Sequence, residues 1–457
     1  MQTKNRRLKI SISGVRGVIG ETLTPQLIND FAMAFGEYVA GGTVIVGRDS
    51  RSSGIMVEQA VLSGLRAVGC QVLLAGVIPT PTAQILVNEY NANGAIVISA
   101  SHNPAEWNAL KFIGGNGLFL NQHQAAELLD IYNQLDRNLV SENAYMGLRK
   151  ITNSFAIHQK RIFNNIDTEA IRARNFTVAV DCCNGVGSFY SRQFLEALNC
   201  NVVEIFAERD GIFRRKPEPT AENLQKLSDT VREFKCDVGF AQDPDGDRLA
   251  LVSNSGEAIS EQYTLVMTTE HILAEKPGNV VANIQTTKSL EDVVKSYGCN
   301  ISYSPVGEIN VTEQMLKANA IIGGEGGSGG VIFPAVHPCR DSFTAMALIL
   351  EMLALTTETF DDIYQSLPHY KYFSKKYQCS AVFAQKIIRM FKDEYSNEKI
   401  TDIDGLRIDF TDGSWLLLRA SNTEPVIRLF VEAKTQKLAN SKAKAFDEKI
   451  MMILAQN

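Results

Sequence analysis

The sequence predicts an α/β protein in which three related α/β units with mixed sheets are followed by a smaller α+β unit. Two observations carry this prediction. Short apolar runs alternate with helical patterns, and that rhythm begins at Thr43 and restarts at Phe176 and at Asn279. After about Tyr370 the pattern changes character. The length agrees: 457 residues exceed what one core supports, and at roughly 150 residues per domain they imply about three compact units.

Taken in order, the first unit reads as a strand over Thr43–Gly47, a helix over Ile55–Gly69, and strands over Gln71–Ala75 and Gly94–Ile98. The second opens with a strand over Phe176–Asp181 and continues to a strand-like Asp237–Ala241. The third opens with Asn279–Asn283 and carries the apolar Ala320–Ile322. The last unit combines an amphipathic segment Ala384–Phe391, strands near Leu406–Phe410 and Trp415–Arg419, and a closing helix Ser441–Leu454. The expected units are residues 1–150, 151–254, 255–370 and 371–457.

Composition narrows the function. Hydrophobic and charged fractions of 45% and 21% are those of an ordinary globular protein that folds without a partner. The net charge of −6 gives no general attraction to nucleic acid or to an anionic membrane, so any phosphate-bearing partner is expected to be small. No apolar run reaches the ~18 residues needed to span a bilayer. Lys4, Arg6, Arg7 and Lys9 are not followed by the apolar run of a signal peptide. A cytoplasmic location is therefore expected. The eight cysteines lie scattered without a CxxC pair, which reads as reduced thiols; the adjacent Cys182 and Cys183 could be redox-active, but neighbouring residues rarely bridge without strain.

Four constellations carry chemistry. Ser99-Ala-Ser101-His102-Asn103-Pro104 directly follows the strand Gly94–Ile98, and loops at strand ends of α/β sheets are where ligands bind. A serine there can be a nucleophile, or a plain turn residue before Pro104. Asp243-Pro-Asp245-Gly-Asp247-Arg248 sets three carboxylates at alternate positions, able to converge on one hard divalent cation. A calcium loop of the EF-hand type is excluded, because its sixth and twelfth positions would be Arg248 and Asn254 instead of Gly and Glu. A solvated acidic turn is the competing reading. Gly323–Gly330 holds six glycines in eight residues, allowing close backbone approach to a ligand, with Glu325 and Ser328 able to bond hydroxyl groups; a flexible hinge is the alternative. Arg419-Ala-Ser421-Asn422-Thr423-Glu424-Pro425, with Arg428 beyond, can cradle a phosphate through guanidinium, hydroxyl and amide donors, or be a solvated surface turn.

In this order the four motifs resemble the alpha-D-phosphohexomutase family, and the match spans nearly the whole chain. Further matches are Ser13-Gly-Val-Arg16-Gly17, Gly47-Arg48-Asp49-Ser50-Arg51, Lys111 ten residues after Ser101, and Lys216-Pro-Glu-Pro-Thr-Ala-Glu-Asn223. The resemblance implies four domains around a central cleft, the last one phosphate-binding. It implies that Ser101 is phosphorylated, that Asp243, Asp245 and Asp247 bind magnesium together with an oxygen of that phosphoserine, and that Arg16, Lys111 and Arg248 lie close to the reacting phosphate. Lys111 or His102 would handle the sugar hydroxyl proton. Many members carry Glu, one residue, Ser or Asn, then Gly and often His in the sugar loop. Here an extra residue separates Glu325 from Ser328, and Gly330 stands where the His would fall. Members with a Gly-Glu-Gly-Asn-Gly-Gly loop are closer.

The implied reaction moves a phosphoryl group between O6 and O1 of a hexose phosphate through a hexose 1,6-bisphosphate. A phosphoserine carries ~1.5 to 2 negative charges and the substrate a similar charge, so magnesium and the cations must offset their repulsion. Arg419, Ser421, Asn422, Thr423 and Arg428 would hold the non-reacting phosphate, a second site that a simple phosphatase does not need. A catalytically silent sugar-phosphate sensor would be expected to have lost Ser101 or a carboxylate. The opening Ile10–Gly17 and the Gly-Glu-Gly loop look most like members assigned to glucosamine 6-phosphate, with glucose and mannose phosphates next. A monomer or homodimer is expected.

Overall fold

Three of the four sheets share one plan. In the first unit the parallel strands Thr43–Arg48, Gln71–Val77 and Gly94–Ile98 are followed by the antiparallel Trp107–Gly114, in the spatial order fourth, third, first, second. The second unit repeats that order with Thr177–Asp181, Asn201–Ile205, Val238–Gln242 and antiparallel Leu249–Val252. The third repeats it with Val280–Asn283, Ile301–Ser304, Ile322–Glu325 and antiparallel Gly330–Phe333. In this computed structural model the described residues are 8–11, 14–134, 136–141, 147–421 and 425–455. Strands Lys9–Ser11, Gly14–Val18 and Leu148–Lys150 extend the first sheet to seven, and His337–Arg340 extends the third to five.

The parallel strands are legible because both of their faces are covered. Gly94–Ile98 is buried at every position, so it reads as a continuous apolar run. The neighbouring helix Gly54–Ala67 stops two residues short of the expected Gly69, which at φ +85° turns the chain into the next strand. Helix Pro25–Tyr38 packs on it, opened by Thr24, whose Oγ accepts a hydrogen bond from Leu27 N at 3.3 Å, and by a proline at the first helical position.

The fourth sheet is wholly antiparallel, in the order Lys371–Gln378, Val426–Ala433, Trp415–Ala420, Leu406–Asp409, Lys399–Thr401. Helices Ala381–Glu394 and Gln436–Ala455 supply Ile387, Phe391, Phe446 and Ile450 to its core, each helix longer than its apolar period alone indicates.

Helix Thr80–Glu89 has no expected counterpart, because its Thr-Pro-Thr-Ala-Gln start shows no apolar period. It is nevertheless buried from Thr80 to Val87, and its polar side chains meet the other units. Thr82 Oγ lies 2.9 Å from His158 Nδ1, and His158 Nε2 lies 2.8 Å from Asp341 Oδ2, linking the first, second and third units in one chain of hydrogen bonds. The fourth unit meets the third through Trp415, Leu417 and Phe430 packed with Ile284. Polar contacts join the same seam: Lys288 N donates to Glu432 Oε2 at 2.9 Å, and Arg407 Nη1 donates to Ile284 O at 3.0 Å. Among the described residues no helix is long and apolar enough to cross a membrane.

Candidate active site

Three of the four motifs occupy the same place in their sheets. The serine loop, the Asp243–Arg248 turn and the Gly326–Gly329 turn all leave the third strand of the repeat and return in the antiparallel fourth. In the fourth unit Ser421 and Pro425 lie at the ends of the antiparallel pair Trp415–Ala420 and Val426–Ala433.

Ser101 is 3% exposed and sits at φ +48°, a left-handed conformation that costs a non-glycine residue about 1–3 kcal/mol unless its surroundings enforce it. Here they do. Buried Arg51 donates from Nη2 to the carbonyls of Ser101 at 2.5 Å and Asn103 at 2.8 Å, and from Nη1 to those of Pro104 at 2.7 Å and Trp107 at 3.1 Å. Its Nε is held by Asp49 Oδ2 at 3.0 Å, which also accepts from Ser99 Oγ at 2.7 Å. Ser99 Oγ in turn accepts from Ser101 N at 2.9 Å. The loop is thus fixed from beneath, and Ser101 Oγ donates to Asp243 Oδ2 at 2.8 Å.

Asp243, Asp245 and Asp247 are fully buried, with one oxygen of each within 4.8 Å of the others. Burial, and then the charges of Asp247 and Asp245, push the Asp243 carboxyl well above its ordinary range. Asp245 is pulled the other way: burial is outweighed by Lys111, whose Nζ lies 2.6 Å from Asp245 Oδ2, and by Thr80 Oγ at 2.5 Å. Asp245 Oδ1 and Asp247 Oδ1 are buried with no hydrogen-bond partner among the described residues. Two orphaned oxygens in so tight a carboxylate cluster fit a hard divalent cation.

Cations surround this cluster. Lys111 Nζ also lies 3.7 Å from Asp247 Oδ2; burial alone would lower its ammonium, but Asp245 and Asp247 outweigh that and hold it raised. Arg248 lies 3.7 Å from Asp247 Oδ1 and 3.3 Å from Glu218 of the Lys216–Asn223 motif. Arg16 donates to Asn103 Oδ1 at 2.5 Å, and burial followed by the nearby Arg248 lowers its guanidinium to about 10. Arg248, burial and Arg16 hold the His102 imidazole well below its usual range. His102 Nδ1 is buried without a hydrogen-bond partner among the described residues.

The glycine-rich loop packs directly on the second unit. Leu249 N donates to Gly329 O at 3.0 Å, and Gly329, at φ +65°, is so close that a Cβ there would meet Leu249 O at 2.2 Å. Glu325 is buried and accepts from Gly307 N at 2.7 Å and Asn283 Nδ2 at 3.0 Å, while Ser328 Oγ donates to the Glu325 carbonyl at 3.1 Å. In the fourth sheet Arg419 and Arg428 are directly opposite each other. Like charges so placed are unfavourable unless an anion joins them. Arg419 Nε donates to Asp404 Oδ2 at 2.9 Å, which also accepts from Val306 N of the third unit at 3.0 Å. Ser421 N donates to Val426 O at 2.9 Å. Asn422 and Thr423, expected in the phosphate cradle, lie outside the described residues, as does Ser13.

The structure therefore gathers Ser101, His102, Lys111, Arg16, Arg248 and the three aspartates, and sets Glu325 beside them through Arg340. Three residues of this assembly carried no role from sequence. Arg51 stood in a matched motif without an assigned task. Thr80 begins the helix that shows no apolar period. Arg340, whose guanidinium reaches Asp247 Oδ2 at 2.6 Å and Glu325 Oε2 at 2.7 Å, left no sequence signal beyond an arginine next to an aspartate.

The chain matches known proteins over nearly its whole length. Residues 7–139, 156–256 and 260–370 match the phosphoglucomutase/phosphomannomutase alpha/beta/alpha domains I, II and III, and residues 380–449 match the C-terminal domain of the same family. A phosphoglucomutase/phosphomannomutase of Thermococcus kodakarensis is 36% identical over 436 residues, covering 93% of this chain and 94% of its own. A probable phosphoglucosamine mutase of Methanopyrus kandleri is 33% identical over 433 residues, covering 93% and 94%. The crystal structure of a phosphoglucomutase/phosphomannomutase family protein from Burkholderia thailandensis superposes with a TM-score of 0.85 at 26% identity, covering 97% of this chain and 98% of that one. With all four of its domains matched in order, the chain belongs to the alpha-D-phosphohexomutase family, mutases that move a phosphate within a hexose phosphate.

Proposed function

We propose that the protein interconverts glucosamine 6-phosphate and glucosamine 1-phosphate through a phosphoserine at Ser101 and a 1,6-bisphosphate intermediate. The observation that carries this reading is the 2.8 Å contact of Ser101 Oγ with Asp243, at the edge of a carboxylate cluster with two orphaned oxygens. Asp243, Asp245, Asp247 and an oxygen on Ser101 would hold Mg²⁺, which when bound offsets negative charge on the transferring phosphoryl oxygens. The work falls to the serine loop in unit 1–150, the carboxylate turn in 151–254, the glycine-rich loop in 255–370 and the arginine loop in 371–457.

In the first half-reaction the bond between Ser101 Oγ and phosphorus breaks as the sugar hydroxyl oxygen bonds to that phosphorus; in the second, the O–P bond at the other end of the bisphosphate breaks as Ser101 Oγ bonds to that phosphorus. The hydroxyl proton passes to Nδ1 of His102, which has no hydrogen-bond partner among the described residues, and returns from it to the departing sugar oxygen in the second half-reaction. Lys111 is already ion-paired and acts electrostatically with Arg16 and Arg248. Glu325 and Ser328 bind the sugar, while Arg419, Ser421, Asn422, Thr423 and Arg428 hold the phosphate that is not reacting. The bisphosphate turns over and returns its other phosphate to Ser101. Low exposure of Ser101 and the aspartates keeps water from intercepting the transfer.

The name of the Methanopyrus kandleri relative supports glucosamine phosphate. The name of the Thermococcus kodakarensis relative supports glucose and mannose phosphates as the second reading. A coupled assay with Mg²⁺ and a trace of hexose 1,6-bisphosphate, offering glucosamine, glucose and mannose 1-phosphates in parallel, separates them. Isomer without free phosphate is expected, with glucosamine turned over best. Free phosphate alone would replace the mutase reading with a phosphatase. A preference above tenfold for glucose or mannose phosphate, a transition-state difference of ~1.4 kcal/mol, would move the assignment to that sugar.

A further inference from the structure

We propose that Arg340 is a positioning residue that couples the sugar-binding Glu325 to the carboxylate Asp247, and that residue 330 is glycine in order to admit it. The inference rests on the mutase reading above and names a specificity device within that site.

Arg340 ends the outer strand His337–Arg340 and pairs across the sheet with Ile332 of the strand that begins at Gly330. Its side chain runs back over Gly330, so that a Cβ there would lie 2.4 Å from Arg340 Cδ and 3.1 Å from Cγ. Gly330, unlike its neighbour Gly329, does not adopt a left-handed φ. Its backbone therefore does not call for glycine, whereas the space does. This is the position at which many family members place a histidine. Here the volume is filled from the next strand, by a larger cation.

The guanidinium is 9% exposed with its residue and divides its three nitrogens among three carboxylates: Nε to Glu308 Oε2 at 3.0 Å, Nη1 to Glu325 Oε2 at 2.7 Å, and Nη2 to Asp247 Oδ2 at 2.6 Å. Gln84 of the first unit completes the set by donating to Glu308 Oε1 at 3.1 Å. A planar fork with fixed angles sets the relative placement of its acceptors, which a flexible ammonium cannot do. Glu325 has both oxygens engaged, Oε1 by Gly307 N and Asn283 and Oε2 by Arg340, so its carboxylate is locked with lone-pair capacity left for a sugar hydroxyl or amine. At Asp247 the same fork supplies positive charge to Oδ2 while Oδ1 stays without a hydrogen bond among the described residues. Arg340 thus supports sugar binding and opposes cation binding, two effects of opposite sign from one side chain.

The test uses the full chain and the variants Arg340→Met, Arg340→Lys, Gly330→Ala and the double variant Gly330→Ala/Arg340→Met. Steady-state constants for glucosamine 6-phosphate are measured beside calorimetric titration with Mg²⁺ alone. Arg340→Met is expected to raise KM by roughly tenfold or more, the scale of one lost charge-assisted hydrogen bond, with a smaller change in kcat. It is expected to tighten Mg²⁺ binding at the same time. Arg340→Lys should recover the Mg²⁺ affinity of the parent and only part of the KM. Gly330→Ala, which displaces the side chain without removing charge, should raise KM by roughly threefold in the parent and leave it unchanged in the Arg340→Met background, the signature of one coupled device. Parental KM and Mg²⁺ affinity in Arg340→Met would overturn the proposal. So would a joint loss of kcat, Mg²⁺ binding and thermal stability with Gly330→Ala silent, because that is damage to the fold. A parent that binds Mg²⁺ but shows no mutase turnover would defeat the functional reading instead, and the direction of the Mg²⁺ shift would still decide the role of Arg340 at Asp247.

Discussion

The serine–aspartate centre and the arginine loop of the fourth unit solve opposite electrostatic problems. At the centre, Ser101 is 3% and Lys111 4% exposed, the three aspartates are fully buried, and Lys111 and Arg340 already face carboxylates. In the fourth sheet, Arg419 and Arg428 stand directly opposite each other, and Asp404 pairs with Arg419. The centre is a charge-balanced, water-poor environment prepared for bond exchange. The arginine pair places two guanidinium groups side by side, an arrangement that a phosphate bound between them would favour. On the proposed function the first region acts on a phosphate, and the second grips one.

That contrast can be broken most directly at Ser101. Ser101→Ala should lower mutase kcat by at least about 10⁴-fold, the scale of removing a nucleophile, while calorimetry still detects sugar-phosphate binding. Normal turnover in this variant would end the phosphoserine mechanism. Asp243→Asn should lower kcat by about 10²–10³-fold and weaken Mg²⁺ binding in the substrate-free protein, since it removes both a candidate ligand and the partner of Ser101 Oγ. Arg419→Ala should act on the other side of the contrast, raising KM by about 10–100-fold with a smaller loss in kcat, as expected for one lost charge-assisted bond to a phosphate. Equal kcat losses from Asp243→Asn and Arg419→Ala, with KM unmoved, would erase the distinction between acting and gripping. Arg51→Lys should have the smallest effect, about a tenfold fall in kcat at nearly constant KM, because a lysine cannot hold the four carbonyls that fix the left-handed Ser101. Restoration of the parental rate by lysine would show that charge alone, without the fork, keeps the loop in place.

The sequence disclosed those parts of the site that are local. Gly94–Ile98 is an apolar run because helices cover both of its faces, and the Asp243–Asp247 spacing is a property of one turn. What stayed hidden is tertiary. Arg340 and Glu325 lie 15 residues apart and meet only because two strands return against each other. Arg51 reaches carbonyls 50 to 56 residues away, and no residue-type pattern announces a backbone acceptor. Helix Thr80–Glu89 gave no periodic signal because Thr80, Thr82 and Gln84 are buried against polar partners in other units. The same reason made the sugar loop look anomalous: the glycine that seemed to lack a side chain is covered by one from the adjacent strand.

The repeated return from third to antiparallel fourth strand has one more consequence. Because each of the first three units offers its loop at the same point of one repeated scaffold, the roles proposed for Ser101, the three aspartates and Glu325 fall on separate copies of one connection. The residues between Glu325 and Ser328 lie wholly within their own return, apart from the turn that holds the three carboxylates. On the proposed assignment a change in the third loop reaches the aspartates chiefly through Arg340, the one guanidinium described above that joins Glu325 to Asp247.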